Sequence, residues 1–333
     1  MVAMTVQAQD FHPHLRLTDR LAALAAWSLG IALFSTVGWI ALKPVDPEGA
    51  VTMRTDPSPW MMLAQMAALG VVVAGVATVL IGRKLTDAGV FACCLGIAVA
   101  NLRGNTFASV LIGVADGGVA IRREIAAGFM SEAVAWFVMV MLVMAFSAIV
   151  LRWCSRGPEA ESVAALSSMS AVNLPMLGAM LYPRDPDVTP EAPDSGLKHT
   201  LAVAFVAFLL VRVFATGSPP RAIAHGQVYF SIAAAFCAAG YVVQGYLPTR
   251  TPLWTCLAVP LVTLLAYGWS IMTDSSQGLH PATIPTSPYF RALPIEYVSL
   301  GVLGSLLSFW WTRGAYAARL VPKAKETKRG AAR

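Results

Sequence analysis

Residues 83–123 read RKLTDAGVFACCLGIAVANLRGNTFASVLIGVADGGVAIRR. Two apolar runs meet at Asn101-Leu102-Arg103-Gly104-Asn105, and the second run carries Asp116 inside a glycine cluster. A lipid-facing helix should hold no charge or amide in its middle, because bilayer hydrocarbon offers no water to satisfy it. How often this stretch crosses sets the side on which every later loop lies. The first run alone, 88–102, makes about 22 Å of helix, short of the roughly 30 Å hydrocarbon core. Three structures fit: one long tilted helix with Arg103 on its protein-facing side, a short span leading into an interfacial helix, or two half-helices meeting at the LRGN break.

Around this stretch the chain is 57% apolar and only 13% charged, about half the charged fraction of a soluble domain. Runs of around twenty apolar residues recur, so the fold class is all-α: a polytopic integral membrane helical bundle. The net charge of +6 would suggest nucleic acid in a soluble protein. Here it reflects Lys and Arg on loops beside anionic lipid, and the expected partners are the bilayer and other membrane subunits, not nucleic acid. Cys93, Cys94, Cys154, Cys237 and Cys256 show no CxxC spacing, so neither a disulfide framework nor a zinc site follows.

Spans are expected near 21–42, 60–82, 88–113 (interrupted), 127–153, 200–216, 222–247, 252–272 and 294–311. They make a transmembrane domain, 21–312, between a cytoplasmic N-terminal segment, 1–20, and a basic cytoplasmic tail, 313–333. The first apolar run is too long for a signal h-region and reads as a retained span. The pair His12 and His14 in the N-terminal segment reads as incidental rather than as a metal site. Residues 43–59 read as a short, acidic-leaning connector, and Pro260 should kink its span. Glu296, at the start of the last span, can reach headgroup water. The weak run 163–181 carries too many polar residues for lipid and reads as interfacial or packed inside.

With one crossing at 88–113, eight spans result and both termini are cytoplasmic. That arrangement puts twice as many lysines and arginines inside as outside, as the positive-inside rule requires. A second crossing there, or a lone span at 163–181, reverses the bias. Both together restore it, so charge also accommodates ten spans. The membrane is expected to be the cell (plasma or inner) membrane.

An ionisable residue inside a membrane is a functional candidate by default. Arg103, Asp116 and Glu132 are the leading intramembrane cluster, with Arg103 able to bind an anion and Glu132 able to relay protons. The competing reading has Arg103 snorkelling to the surface and the two acids near the outer headgroups. Asn101, Asn105, His225 and Arg212 are secondary candidates, His225 being more ordinarily a satisfied structural histidine.

No phosphate-binding glycine loop, HExxH, haem-type histidine pair or GxSxG elbow is present, and no cofactor or metal is expected. Asp116-Gly117-Gly118-Val119-Ala120 resembles the opening of the CDP-alcohol phosphotransferase signature. The resemblance stops there: Ile121 and Met130 replace its arginine and glycine, and Val134 and Val138 its two further aspartates, so a divalent metal would lack oxygen ligands. Two functions remain as expectations. One is a non-catalytic structural, assembly or accessory component. The other is a small-solute or ion carrier using Arg103, Asp116 and Glu132, and an enzyme is the weakest reading.

Overall fold

The computed structural model describes residues 17–46, 49–54, 56–81, 87–106, 110, 118–154, 196–215, 225–249, 251–274 and 288–330, the last of these beyond 312 by backbone alone. Asp116, the run 163–181 and the histidine pair at 12 and 14 lie outside the described residues. In chain order the helices are α1 (Leu17–Leu33), α2 (Trp39–Leu42), α3 (Pro59–Ile81), α4 (Ala88–Asn101), α5 (Gly118–Cys154), α6 (Gly196–Ala215), α7 (His225–Tyr246), α8 (Leu253–Cys256), α9 (Ala258–Asp274) and α10 (Pro294–Gly330). A π-helical turn, Phe34–Gly38, joins α1 to α2, and a 3-10 turn, Pro288–Arg291, precedes α10. Among the described residues the only β pairing is an isolated bridge between Ala50 and Asn105. The described residues thus form an all-helical bundle.

Among the described residues six helices are long and apolar enough to cross a membrane: Leu17–Leu42, Pro59–Ile81, Arg123–Leu151, Gly196–Ala215, His225–Tyr246 and Leu253–Thr273. The distribution of side chains fits that environment. Large apolar residues face outward, among them Leu201, Phe205 and Val213 on α6 and Val72, Val79 and Leu80 on α3. Small and polar residues face inward, including Thr78, Ser147, Thr263, Ser299 and Ser308. Lipid gives no hydrophobic reward for burying leucine, so close backbone approach and interhelical hydrogen bonds take over the packing. Several inward hydroxyls spend their protons on their own helix, as Thr78 does on Ala74 O at 2.7 Å and Ser299 on Ile295 O at 2.7 Å, while Thr200 reaches across to Trp254 O at 2.7 Å.

Two helices form the centre. Twelve residues of α4 are buried, leaving only Leu95 and Val99 partly open. Its glycines explain how closely neighbours approach. A Cβ on Gly89 would lie 2.7 Å from Ala74 O of α3, and one on Gly96 would lie 2.7 Å from Gly30 O of α1. The second centre is α10, whose first thirteen residues, 294–306, are all buried. Pro294 opens it at the first helical position, where a missing N–H deprives no carbonyl.

Three local features differ from what the sequence suggests. First, α4 stops at Asn101. Residues 102–104 continue as a turn (Leu102 N to Val99 O 3.2 Å, Arg103 N to Ala100 O 3.1 Å, Gly104 N to Asn101 O 3.0 Å). A single long helix through Arg103 is therefore excluded. Second, the connector 43–59 is not wholly a surface loop. Ala50, Val51, Thr52 and Met53 are buried, and the chain there pairs with the α4 turn through Asn105 N to Gly49 O at 3.2 Å. Four small or apolar residues in a row make that burial inexpensive once the backbone finds partners. Third, Glu296 is only 2% exposed and does not reach the surface. The Pro260 disturbance falls just upstream, at Leu257 between α8 and α9, where its ring crowds the preceding turn.

Candidate functional site

At the end of the bundle that carries 49–54 and the α4 turn, four polar side chains from three helices converge. Glu296 is the third residue of α10, and its Oε2 accepts the N–H of Leu293, the residue before the helix, at 2.8 Å. This is half of a capping box, and a carboxylate at this end of a helix is also favoured by its dipole. Capping occupies one oxygen and leaves Oε1 for other donors. Asn101, the last residue of α4, donates Nδ2 to that oxygen at 3.2 Å, and His225 Nδ1 lies 3.3 Å from it.

His225 opens α7, and Tyr229 follows one turn later on the same face, their rings meeting edge to face at 6.0 Å. Tyr229 donates its hydroxyl to Ala98 O at 2.8 Å and accepts Asn101 Nδ2 at 3.1 Å. The other His225 nitrogen, Nε2, is 3.2 Å from Gly104 O, a carbonyl that the turn after α4 leaves outside any helix ladder. Asn101 is 1% exposed, yet its Oδ1 has no hydrogen-bond partner among the described residues. A buried orphan acceptor costs about 1–3 kcal/mol.

Glu132 forms a second buried group, 4% exposed. Thr52 donates to its Oε2 at 2.6 Å and Trp136, one turn along α5, donates Nε1 to its Oε1 at 3.2 Å. The Met53 backbone N–H adds a third donor. The next residue, Arg54, bonds Glu124 O at 2.7 Å and pairs with its carboxylate at 3.1 Å. Glu132 therefore anchors the inserted segment to α5. Tyr267 on α9 donates its hydroxyl to Ala292 O at 2.8 Å.

The other residues singled out from the sequence occupy separate places. Arg103 is exposed, donates Nη1 to Ser35 O at 2.6 Å and lies 4.7 Å from the Trp39 ring centroid. Ser35 belongs to the π-helical turn, a deformation that disturbs the regular carbonyl ladder and opens it to outside donors. Arg103 and Glu132 thus have different partners. Asn105 is exposed and accepts Thr106 N–H at 2.9 Å. Arg212 is exposed in the last turn of α6 and reaches Tyr289. Among the described residues no three His, Cys, Asp or Glu side chains converge as a metal-ligand set.

Sequence reasoning named Asn101 and His225 but missed Glu296 and Tyr229. The available signals were the Pro-x-Glu opening of the last span and the i, i+4 spacing of His225 and Tyr229. Neither says that α4 ends beside them. Comparison of the chain with protein-family models, curated proteins and solved structures returns no match, so the functional reading rests on this geometry.

Proposed function

We propose that the chain is a small-solute or ion carrier with eight spans, both termini on the cytoplasmic side of the cell membrane. Two spans join the six long apolar helices: the short α4 and the buried α10. The working site on this reading is Glu296 with His225, Asn101 and Tyr229, rather than the grouping of Arg103, Asp116 and Glu132. The observation that carries it is the meeting of a buried carboxylate, an imidazole and an amide with an unpartnered oxygen between three helices. After its helix-to-helix bonds are made, this network keeps one buried acceptor over, and a buried carboxylate beside it.

A non-catalytic structural or accessory role is the second reading, and Glu132 favours it. Its two oxygens are satisfied entirely from within the chain, as expected of a structural anchor. Reconstitution separates the two. Purified protein in liposomes should move protons, sodium or ammonium above the protein-free rate, and Glu296→Gln should abolish that movement while leaving the yield of folded protein unchanged. Liposomes indistinguishable from protein-free ones, with a partner subunit co-purifying in fixed ratio, would replace the carrier with the accessory reading.

A further inference from the structure

We infer that His225 and Glu296 together hold one exchangeable proton, so that the species this site takes up is H⁺. The inference deepens the carrier reading and rests on it for its purpose, but the proton itself follows from donor and acceptor geometry. His225 Nε2 faces Gly104 O at 3.2 Å. A carbonyl oxygen can only accept, so Nε2 carries a hydrogen. His225 Nδ1 faces Glu296 Oε1 at 3.3 Å. With a neutral ring and an ionised carboxylate, two lone pairs would oppose each other inside the bundle. One proton between them removes the conflict, as imidazolium with carboxylate or as imidazole with carboxylic acid.

His199 provides an internal contrast. Its Nδ1 lies 2.7 Å from Leu247 O, and its Nε2 lies 3.0 Å from Thr255 Oγ1. A hydroxyl can donate, so a neutral ring satisfies both contacts and no extra proton is required. The same residue type, equally enclosed by hydrogen bonds, is neutral at one site and needs a shared proton at the other.

The exchange balances simply. With the proton the pair is neutral overall. On release an N–H or O–H bond breaks, the electron pair stays on nitrogen or oxygen, and the pair is left with one negative charge. The Leu293 and Asn101 N–H groups remain to hold that charge on the carboxylate. The His225 side chain is 20% exposed and that of Glu296 2%, so the ring is the member that meets water. The groups facing the pair are Asn101 and the Gly104 carbonyl from α4 and its turn, and Tyr229 from α7. Tyr267 and Tyr297 are the titratable groups that α9 and α10 bring near Glu296. Among these groups no Lys or Arg supplies a fixed positive charge that would make the proton dispensable.

The test is spectroscopic and needs no transport. Full-length protein with ¹⁵N-labelled histidine, in lipid bilayers, is followed by solid-state NMR and infrared difference spectroscopy through a pH series, with His225→Gln assigning the ring. The expected result is a doubly protonated His225 ring, or a carboxylic C=O band, that is present at low pH and lost as pH rises. Either signature should disappear in Glu296→Gln, while His199 stays neutral throughout. A His225 ring with one hydrogen at every pH that keeps the protein folded, without a carboxylic band, overturns the inference. So does a titration that Glu296→Gln leaves unchanged. Proton exchange without flux in liposomes would uphold the inference and remove the carrier reading; flux without exchange would do the reverse.

Discussion

The bond from Thr52 to Glu132 is the clasp that should keep the inserted segment closed, and its strength can be measured. Val51, next to it, is 1% exposed, so a cysteine there reacts with a water-soluble thiol reagent only when the segment opens. Thr52→Val keeps the shape of the side chain and removes the donor that stands 2.6 Å from Glu132 Oε2. At alkaline pH, with Glu132 ionised, hydrogen bonds to charged groups contribute about 1.5–3 kcal/mol, and Glu132 retains Trp136 and the Met53 N–H, which places the loss near the middle, about 2 kcal/mol. At about 1.4 kcal/mol per tenfold, the open population should rise roughly 30-fold. The assay compares labelling rates of Val51→Cys with and without Thr52→Val, in detergent and in bilayers, under conditions where reclosing outruns labelling. Adding Glu132→Gln should shrink the effect of Thr52→Val to about 1 kcal/mol, the size of a neutral hydrogen bond. Labelling rates equal within a factor of about two for folded protein would refute the clasp, since the bond would then contribute under about 0.5 kcal/mol to closure.

Gly96→Ala should lower thermal stability by about 1–3 kcal/mol, because its new Cβ meets Phe34 at 2.6 Å as well as the Gly30 carbonyl. Gly226→Ala, with nothing within 4 Å among the described residues, should be neutral or raise stability by up to about 1 kcal/mol; both are read by thermal unfolding in detergent. Arg291→Ala removes the Nη1 bond to Ala215 O at 2.7 Å, which caps the end of α6, and should cost about 1–2 kcal/mol in the same assay. Arg103→Gln loses one exposed carbonyl bond and a contact with Trp39 worth about 0.5–1 kcal/mol, and should leave liposome flux intact. Loss of flux in that variant with normal stability would return the site to Arg103.

The sequence made the class legible because composition and run length speak directly to the bilayer. The interruption at 101–105 was legible too, as charge and glycine in the wrong place. What could not be read was the partner of each polar residue. Glu296 looked like an interfacial acid because its neighbours in sequence are the first residues of a span. Its burial comes from α4 and α7, nearly 200 and about 70 positions upstream in the chain (|i−j| 195 to Asn101, 71 to His225). Residues 49–53 looked like loop because loops with several prolines usually are. Their burial depends on a gap at the end of α4 that no local pattern announces. Arg103 could be read either way until the π-helical turn supplied a carbonyl for it.

That gap links the fold to the site. At fourteen residues α4 is about 21 Å long, whereas α3 beside it has twenty-three residues and runs about 35 Å. A helix that short facing lipid would leave its ends in hydrocarbon, but α4 is enclosed by protein and its irregular end can be satisfied there. The space above it is filled by backbone: the turn 102–104 and the inserted 49–53. Filling it this way brings an unladdered carbonyl, Gly104 O, to the depth of Asn101, Glu296 and His225. An α4 continued four or more residues past Gly104 would have used that carbonyl within its own ladder and drawn it away from His225 Nε2. The shortness of the helix is therefore the condition for the ring to face two acceptors at once, and the proton follows from it. A chimeric α4 continued as helix by two turns past Asn101, in place of the turn 102–104, should abolish the shared-proton signature even with all four side chains retained. Survival of that signature in a folded chimera would show that the Gly104 carbonyl is dispensable and that the pair holds its proton without it.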